Sequence, residues 1–124
     1  MGVEHVLRRR RAWRDGLIED ARRFVHDVER RLELRAAVVI GSVARGDFNQ
    51  WSDVDVLVIA DALPERGLDR LKALDPRPAM IQPIPWTPEE WRRALARGNP
   101  MAAEARDRGV WLLGSPADLR AEVR

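Results

Sequence analysis

Apolar residues along this chain change their period several times, and each change marks an element. From 3 to 32, Leu17, Ala21, Phe24 or Val25, Val28 and Leu32 recur at helical spacing with Arg, Glu and Asp between them. That is an amphipathic helix with one buried stripe. "AAVVI" (36–40) then reads as a short buried strand, rich in β-branched residues and ended by Gly41. "SVARGDF" is a turn or short helix and "NQWS" a loop. "DVDVLVIA" (53–60) alternates with period two, Val54, Val56 and Val58 on one face and Asp53, Asp55 and Leu57 on the other. "LPERGLDRLKALD" places Leu68, Leu71 and Leu74 at helical spacing, with Pro64 in a first turn. "PAMIQPIP" (78–85) reads as an edge strand, because Pro83 has no ladder donor.

Two helix starts follow with the same grammar. Thr87 caps, Pro88 takes the first position, Glu90 completes a capping box and Gly98 closes the helix. Asn99 caps, Pro100 follows and Gly109 ends the next one. "VWLLG" (110–114) is a last short strand and "SPADLRAEVR" a last helical turn or more. The order implies a single α/β (α+β) domain over 1–124, a small mixed sheet flanked by helices.

Composition narrows the class. The chain has 124 residues, 45% hydrophobic and 34% charged, which suits one soluble domain with an ordinary core. Net charge is only +2, although bases cluster at Arg8 to Arg11 and recur at Arg14, Arg22, Arg23, Arg30 and Arg31. Acids interleave with these arginines and no aromatic pattern accompanies them, so the run reads as the solvated face of the first helix rather than a nucleic-acid contact. With no cysteine, disulfides, thiolate metal sites and cysteine nucleophiles are excluded. The first residues hold no apolar signal core and no run reaches membrane-spanning length, so the expected location is the cytoplasm.

Asp53 and Asp55 interrupt an otherwise apolar strand. On one strand face they stand about 7 Å apart, where unpaired like charges repel and drive one pKa upward. A divalent cation between them resolves the conflict. Mg²⁺ takes one or two protein carboxylates and fills its other positions with water and phosphate. Gly41 and Ser42, where a strand runs into a short helix, expose backbone N–H groups that favour an anion. Gly41 lets backbone approach a phosphate closely, Ser42 adds a hydroxyl, Arg45 a guanidinium, and Gly46 serves the turn that follows. Alone, Gly-Ser is a turn, Asp-x-Asp a solvated strand end and Arg45 a surface charge. Together at one sheet end they equip the chain for metal-assisted chemistry on a nucleoside triphosphate.

Gly41-Ser42, ten residues, then Asp53-Val54-Asp55 resembles the signature of the DNA polymerase beta-like nucleotidyltransferase superfamily. "GSVARGDFNQWSDVDVLVI" is similar to its minimal nucleotidyltransferase branch, and "PIPWTPEEWRRALARGNPMAAEARDRGVWLLG" to the C-terminal half of small prokaryotic members. The resemblance implies a nucleotidyltransferase fold, with Gly41, Ser42 and Arg45 at the triphosphate and two Mg²⁺ ions held by Asp53 and Asp55. It also implies transfer of a nucleotide, AMP from ATP, to a protein acceptor. Members of this branch pair with helical HEPN-domain proteins in toxin–antitoxin modules, where they act as antitoxin.

One position departs from that pattern. Where a third carboxylate is expected on the next strand stands Gln82, an oxygen donor that is neutral and cannot act as a base. Losing a general base costs roughly 10²–10⁴-fold in rate. Asp75, Glu89 and Glu90 are the other acids near that strand in sequence. The alternative reading is therefore a catalytically impaired nucleotide-binding protein that neutralises its partner by direct contact. A chain this small has no acceptor domain of its own, so a partner or a second copy must supply that surface. It contains no tyrosine and cannot be its own AMP-tyrosine acceptor. Trp86, Trp91 and Trp111 read as core, whereas Trp51 in the polar loop is split between lid packing and a nucleotide or partner contact. His5 and His26 have no ligand partner at helical spacing and read as surface or boundary positions.

Overall fold

The computed structural model describes residues 2–121. The period-two and β-branched runs form β1 (Ala36–Ile40), β2 (Val54–Ile59) and β3 (Ile81–Trp86), and "VWLL" forms β4 (Val110–Leu113). They lie side by side in the order β3-β2-β1-β4. β1 is antiparallel to β2 and to β4, while β2 and β3 are parallel. Parallel neighbours need a crossover, and the segment carrying α3 (Gly67–Ala73) supplies it.

"AAVVI" shows no alternation because both faces of β1 are covered. On one face Ala37 and Val39 join Val54, Val56 and Val58 against Ile18, Ala21, Phe24, Val25 and Val28 of α1 (Val3–Glu29). On the other, Ala36, Val38, Ile40, Leu57 and Ile59 meet Trp91 of α4 (Pro88–Ala96) and Ala102 and Ala105 of α5 (Pro100–Arg108). The period-two division expected of β2 is therefore the division between two cores.

β3 is an edge strand, and its prolines show why it tolerates being one. The carbonyls of Met80 and Trp86 accept from β2 and its continuation. Even-numbered residues of β3 thus face β2, and Pro83 and Pro85 put their missing donors toward the open edge. Both late helices start as expected. Thr87 and Glu90 form the full capping box, and the Asn99 side chain accepts from the Met101 and Ala102 amides. A 3-10 turn at Pro116–Leu119 follows β4; the last three residues of the expected C-terminal helix lie outside the described residues.

Three expectations need correction. α1 ends at Glu29, with both Phe24 and Val25 buried and Leu17 and Leu32 only lining the core. α3 begins at Gly67 behind Arg66, so Pro64 lies ahead of it and Leu68 is exposed. Arg70 reaches back to the Pro64 carbonyl (2.5 Å) and across to Glu90, which anchors the loop without a longer helix. The arginine run is not uniformly a solvated face. Arg10 lies 4.4 Å from the centre of the Phe48 ring and donates to the Gly46 and Phe48 carbonyls. Arg14 donates to the Val43 and Ala44 carbonyls of α2 (Gly41–Arg45), each at 2.8 Å. These two cations satisfy carbonyls at the end of a helix too short to satisfy its own.

Arg14→Ala leaves the carbonyls of buried Val43 and Ala44 without their donor. It should cost about 1–3 kcal/mol of stability in equilibrium urea unfolding, whereas Arg9→Ala, an exposed neighbour, should stay within about 0.5 kcal/mol of wild type.

Candidate active site

The site grows from the join between β1 and α2. The last strand pair, Ile40 with Asp55, places Asp55 beside the residue that follows Ile40, which is Gly41. Gly41 has φ of +75°, and a Cβ there would stand 2.6 Å from Asp55 Oδ2. Only glycine gives the chain both this left-handed turn and the room for the carboxylate. Gly46 closes α2 with φ of +90°, its N–H returning to the Ser42 carbonyl at 2.8 Å.

Asp55 points to the α4–α5 face, ahead of buried Leu57 and Ile59, and is half-buried. Its carboxyl is pushed above the ordinary aspartate range, first by burial, then by the charges of Asp53 and Glu104, with Arg45 opposing. Asp53 precedes β2 by one residue rather than opening it, and is exposed. The structure thus brings Gly41, Asp53 and Asp55 to one end of the sheet. Burial first, and the neighbouring acidic charges after it, disfavour the ionised form of Asp55.

Arg45 reaches the same place but is already engaged, with Asp47 at 3.3 Å and Glu104 at 2.9 Å. Asp47 first and Glu104 second hold the guanidinium even more firmly protonated. Glu104 is the residue that the sequence reading missed. The same Oε1 that meets Arg45 accepts from the Gly41 backbone N–H at 3.0 Å. Nothing in "NPMAAEARDRG" marks it, because its partners lie 63 and 59 positions away.

Gln82 is the register partner of Asp55 across the parallel β2–β3 pair, so both side chains share a sheet face. The three other acids weighed for that position lie elsewhere. Glu89 and Glu90 open α4, just beyond Trp86, which pairs with Ile59 at the far end of β2. Glu90 is occupied by the Thr87 amide and Arg70. Burial alone would raise its pKa, and those partners outweigh burial and lower it. Asp75 follows Leu74, which is buried in the core on the α1 face, and pairs with Arg77.

Among the described residues no three His, Asp or Glu side chains converge as a metal-holding group. Asp53 and Asp55 are a hard-oxygen pair of the kind Mg²⁺ uses when phosphate and water complete its shell. A carboxylate whose ionised form is disfavoured first by burial and then by its neighbours' charges is one that a cation would stabilise. The two carboxylates therefore fit such an ion. Trp51 does not pack as a lid: it stands 83% exposed at the tip of a turn in which Asn49 Oδ1 accepts the Trp51 amide at 2.8 Å. Trp91 is core and Trp111 packs edge-on against it, whereas Trp86 is only partly buried.

The family described as "Nucleotidyltransferase domain" matches residues 21–91, more than half of the chain. A Methanocaldococcus jannaschii protein named "Putative protein adenylyltransferase" is 50% identical over 42 residues, 34% of this chain. That match spans 29% of the relative's own length. The crystal structure of a "putative nucleotidyltransferase" from Sulfolobus solfataricus superposes with a TM-score of 0.56 at 24% identity, covering 64% of this chain and 75% of that one. At that identity the likeness concerns the fold.

The raised pKa of Asp55 has a pH signature. Below the unfolded aspartate pKa the group is protonated in both states and costs nothing. As pH rises through the unfolded and then the folded value, the native carboxyl ionises late, and stability falls. Asp55→Asn should therefore melt above wild type near neutral pH, and the gap should close in acid. A gap that is constant with pH in calorimetric melts would remove the electrostatic account.

Proposed function

This chain belongs to the nucleotidyltransferase domain family, and on that premise we propose that it transfers AMP from ATP to a hydroxyl group of a partner protein. The observation that carries the reading is the joint placement of Gly41, Asp53 and Asp55 at one sheet end, with Arg45 beside them. The name of the Methanocaldococcus relative supports adenylyl as the group and protein as the acceptor.

In this reading the Gly41–Ser42 backbone, the Ser42 hydroxyl and Arg45 hold the phosphates, and Asp53 and Asp55 hold Mg²⁺, two ions when the site is full. Bound there, Mg²⁺ neutralises phosphate charge and makes pyrophosphate a better leaving group. The acceptor oxygen forms a bond to the α-phosphorus, the bond from that phosphorus to the bridging oxygen breaks, and pyrophosphate leaves with the acceptor's proton released to solvent. Gln82 beside Asp55 can orient a hydroxyl or water through its amide oxygen but cannot take that proton. The rate then rests on positioning and charge rather than on base catalysis by that residue.

In this reading the acceptor is another polypeptide: the chain contains no tyrosine, so it is not its own tyrosine acceptor. We infer a helical HEPN-type partner, with this chain as its antitoxin in a cytoplasmic pair or higher oligomer. Among the described residues no helix is long and apolar enough to cross a membrane. Exposed Trp51, two residues before Asp53, is a contact for nucleotide or partner in that complex. The second reading is a nucleotide-binding protein that neutralises its partner without transfer, and the observation favouring it is the neutral Gln82 at the register position of Asp55.

The test is to co-purify the chain with its native partner, add α-labelled ATP and Mg²⁺, and follow the label. Label on the partner, abolished by Asp53→Asn with the fold intact by circular dichroism, is the expected result. Gln82→Asp should raise the rate, by up to the roughly 10²–10⁴-fold a positioned base contributes. A tight complex that binds ATP yet never transfers label supports the second reading. Transfer unchanged in Asp53→Asn overturns the metal assignment.

A further inference from the structure

Glu104 has no part in the chemistry above, yet it occupies two of the groups on which that chemistry depends. Its Oε1 accepts from the Gly41 N–H at 3.0 Å and from Arg45 at 2.9 Å. Both donors are ones that the nucleotide reading gives to phosphate. A glutamate near a helix surface is free to extend into water, and the Glu104 side chain keeps about a quarter of its exposure. It nevertheless turns inward, toward a sheet end that already carries Asp53 and Asp55, and adds to the charge that raises the Asp55 pKa. That repulsion is an electrostatic cost, which the two charge-assisted hydrogen bonds offset.

Resting on the nucleotide reading, we propose that Glu104 is an internal competitor for the phosphates. It closes the Gly41–Arg45 cradle when the site is empty and is displaced when nucleotide binds. The exchange needs only side-chain rotation. The α5 backbone on either side of Glu104 is pinned by buried Ala102 and Ala105, whereas the glutamate side chain is partly exposed and can swing to solvent. Arg45 keeps Asp47 as a second partner throughout, so only one of its two carboxylate contacts has to be exchanged.

The competition has a direction. A single carboxylate making two bonds is a weak rival for a polyphosphate that brings its own Mg²⁺, and a strong one for a monophosphate. Occupation by Glu104 lowers the affinity of every ligand that needs the cradle by one factor, which leaves a polyphosphate able to bind while weakly held anions such as inorganic phosphate are kept out. Apparent affinity falls by the fraction of molecules in which the cradle is open, so a plug closed about ten to one weakens binding about tenfold.

The experiment measures binding, not turnover. Calorimetry with Mg²⁺ and an ATP analogue bridged by methylene between the α and β phosphates is run on wild type, Glu104→Ala, Glu104→Gln and Asp107→Ala. Asp107 is an exposed α5 acid paired with Arg106, and it controls for loss of charge alone. Glu104→Ala should bind the analogue about tenfold tighter, Glu104→Gln should fall between it and wild type, and Asp107→Ala should match wild type. The gain should also appear with inorganic pyrophosphate, which has no base or sugar.

Affinity unchanged or weaker in Glu104→Ala, while wild type binds, overturns the competitor and leaves the nucleotide reading standing. An equal gain in Asp107→Ala overturns it too, since the effect is then general charge. No binding by any of the four sinks the nucleotide reading and the competitor with it. Amide exchange without nucleotide gives a separate readout: the Gly41 N–H should exchange faster in Glu104→Ala than in wild type. Unchanged protection there means that the contact is not holding the amide, and the proposal fails on that ground alone.

Discussion

Everything at the active end of this protein depends on one steric constraint, the absence of a side chain at Gly41. An antiparallel register that ends at Ile40 and Asp55 brings the Asp55 carboxylate within 2.6 Å of where a Cβ would be. The chain can therefore turn from β1 into α2 directly over a carboxylate. Donors for an anion and acceptors for a cation consequently share a wall. Burial, then the charges of Asp53 and Glu104, raise the Asp55 pKa, while Asp47 and Glu104 engage Arg45.

A five-residue helix cannot hold such a turn in place by itself, since beyond the Ser42 carbonyl, which its own cap satisfies, the carbonyls of Val43 and Ala44 need outside donors. The long α1 supplies the missing interactions. Its middle packs on the sheet through Ile18, Ala21, Phe24, Val25 and Val28, and its first half places Arg10 and Arg14 on the carbonyls of α2 and the turn behind it. Trp13 adds an edge-on contact to Phe48, with ring centres 4.7 Å apart. On the opposite face α4 and α5 cover Leu57 and Ile59, ahead of half-buried Asp55 at the sheet end. The fold works as a rigid frame for one short turn.

The acid balance of the site follows from which element carries each carboxylate. Asp55 comes from β2, Asp53 from the residue just before it, and Glu104 from α5 across the turn. The register position on β3 that faces Asp55 holds an amide, Gln82. The acids at this sheet end therefore come from β2, the residue before it and α5, and β3 contributes none beside Asp55.

Much of this was determined by sequence alone, because it is local. The period of Val54, Val56 and Val58 against Asp55 and Leu57 states which side each residue takes. Thr87–Glu90 and Asn99 write their caps within four residues, and Pro83 announces an edge. Gly41, Ser42, Asp53 and Asp55 were legible as a group because their spacing is fixed by one hairpin-like unit. Tertiary structure decided what no short window contains. The register at Asp55 put Gln82 beside it and removed Glu89, Glu90 and Asp75 from consideration. Packing turned Arg10 and Arg14 from a presumed solvated face into caps for a helix some thirty residues away. The same holds for Glu104, a single acid in an alanine-rich helix that meets Gly41 only because α5 folds back over the β1 turn. Side-chain period and capping are properties of neighbours in sequence, whereas charge pairing across the sheet depends on which elements the core brings together.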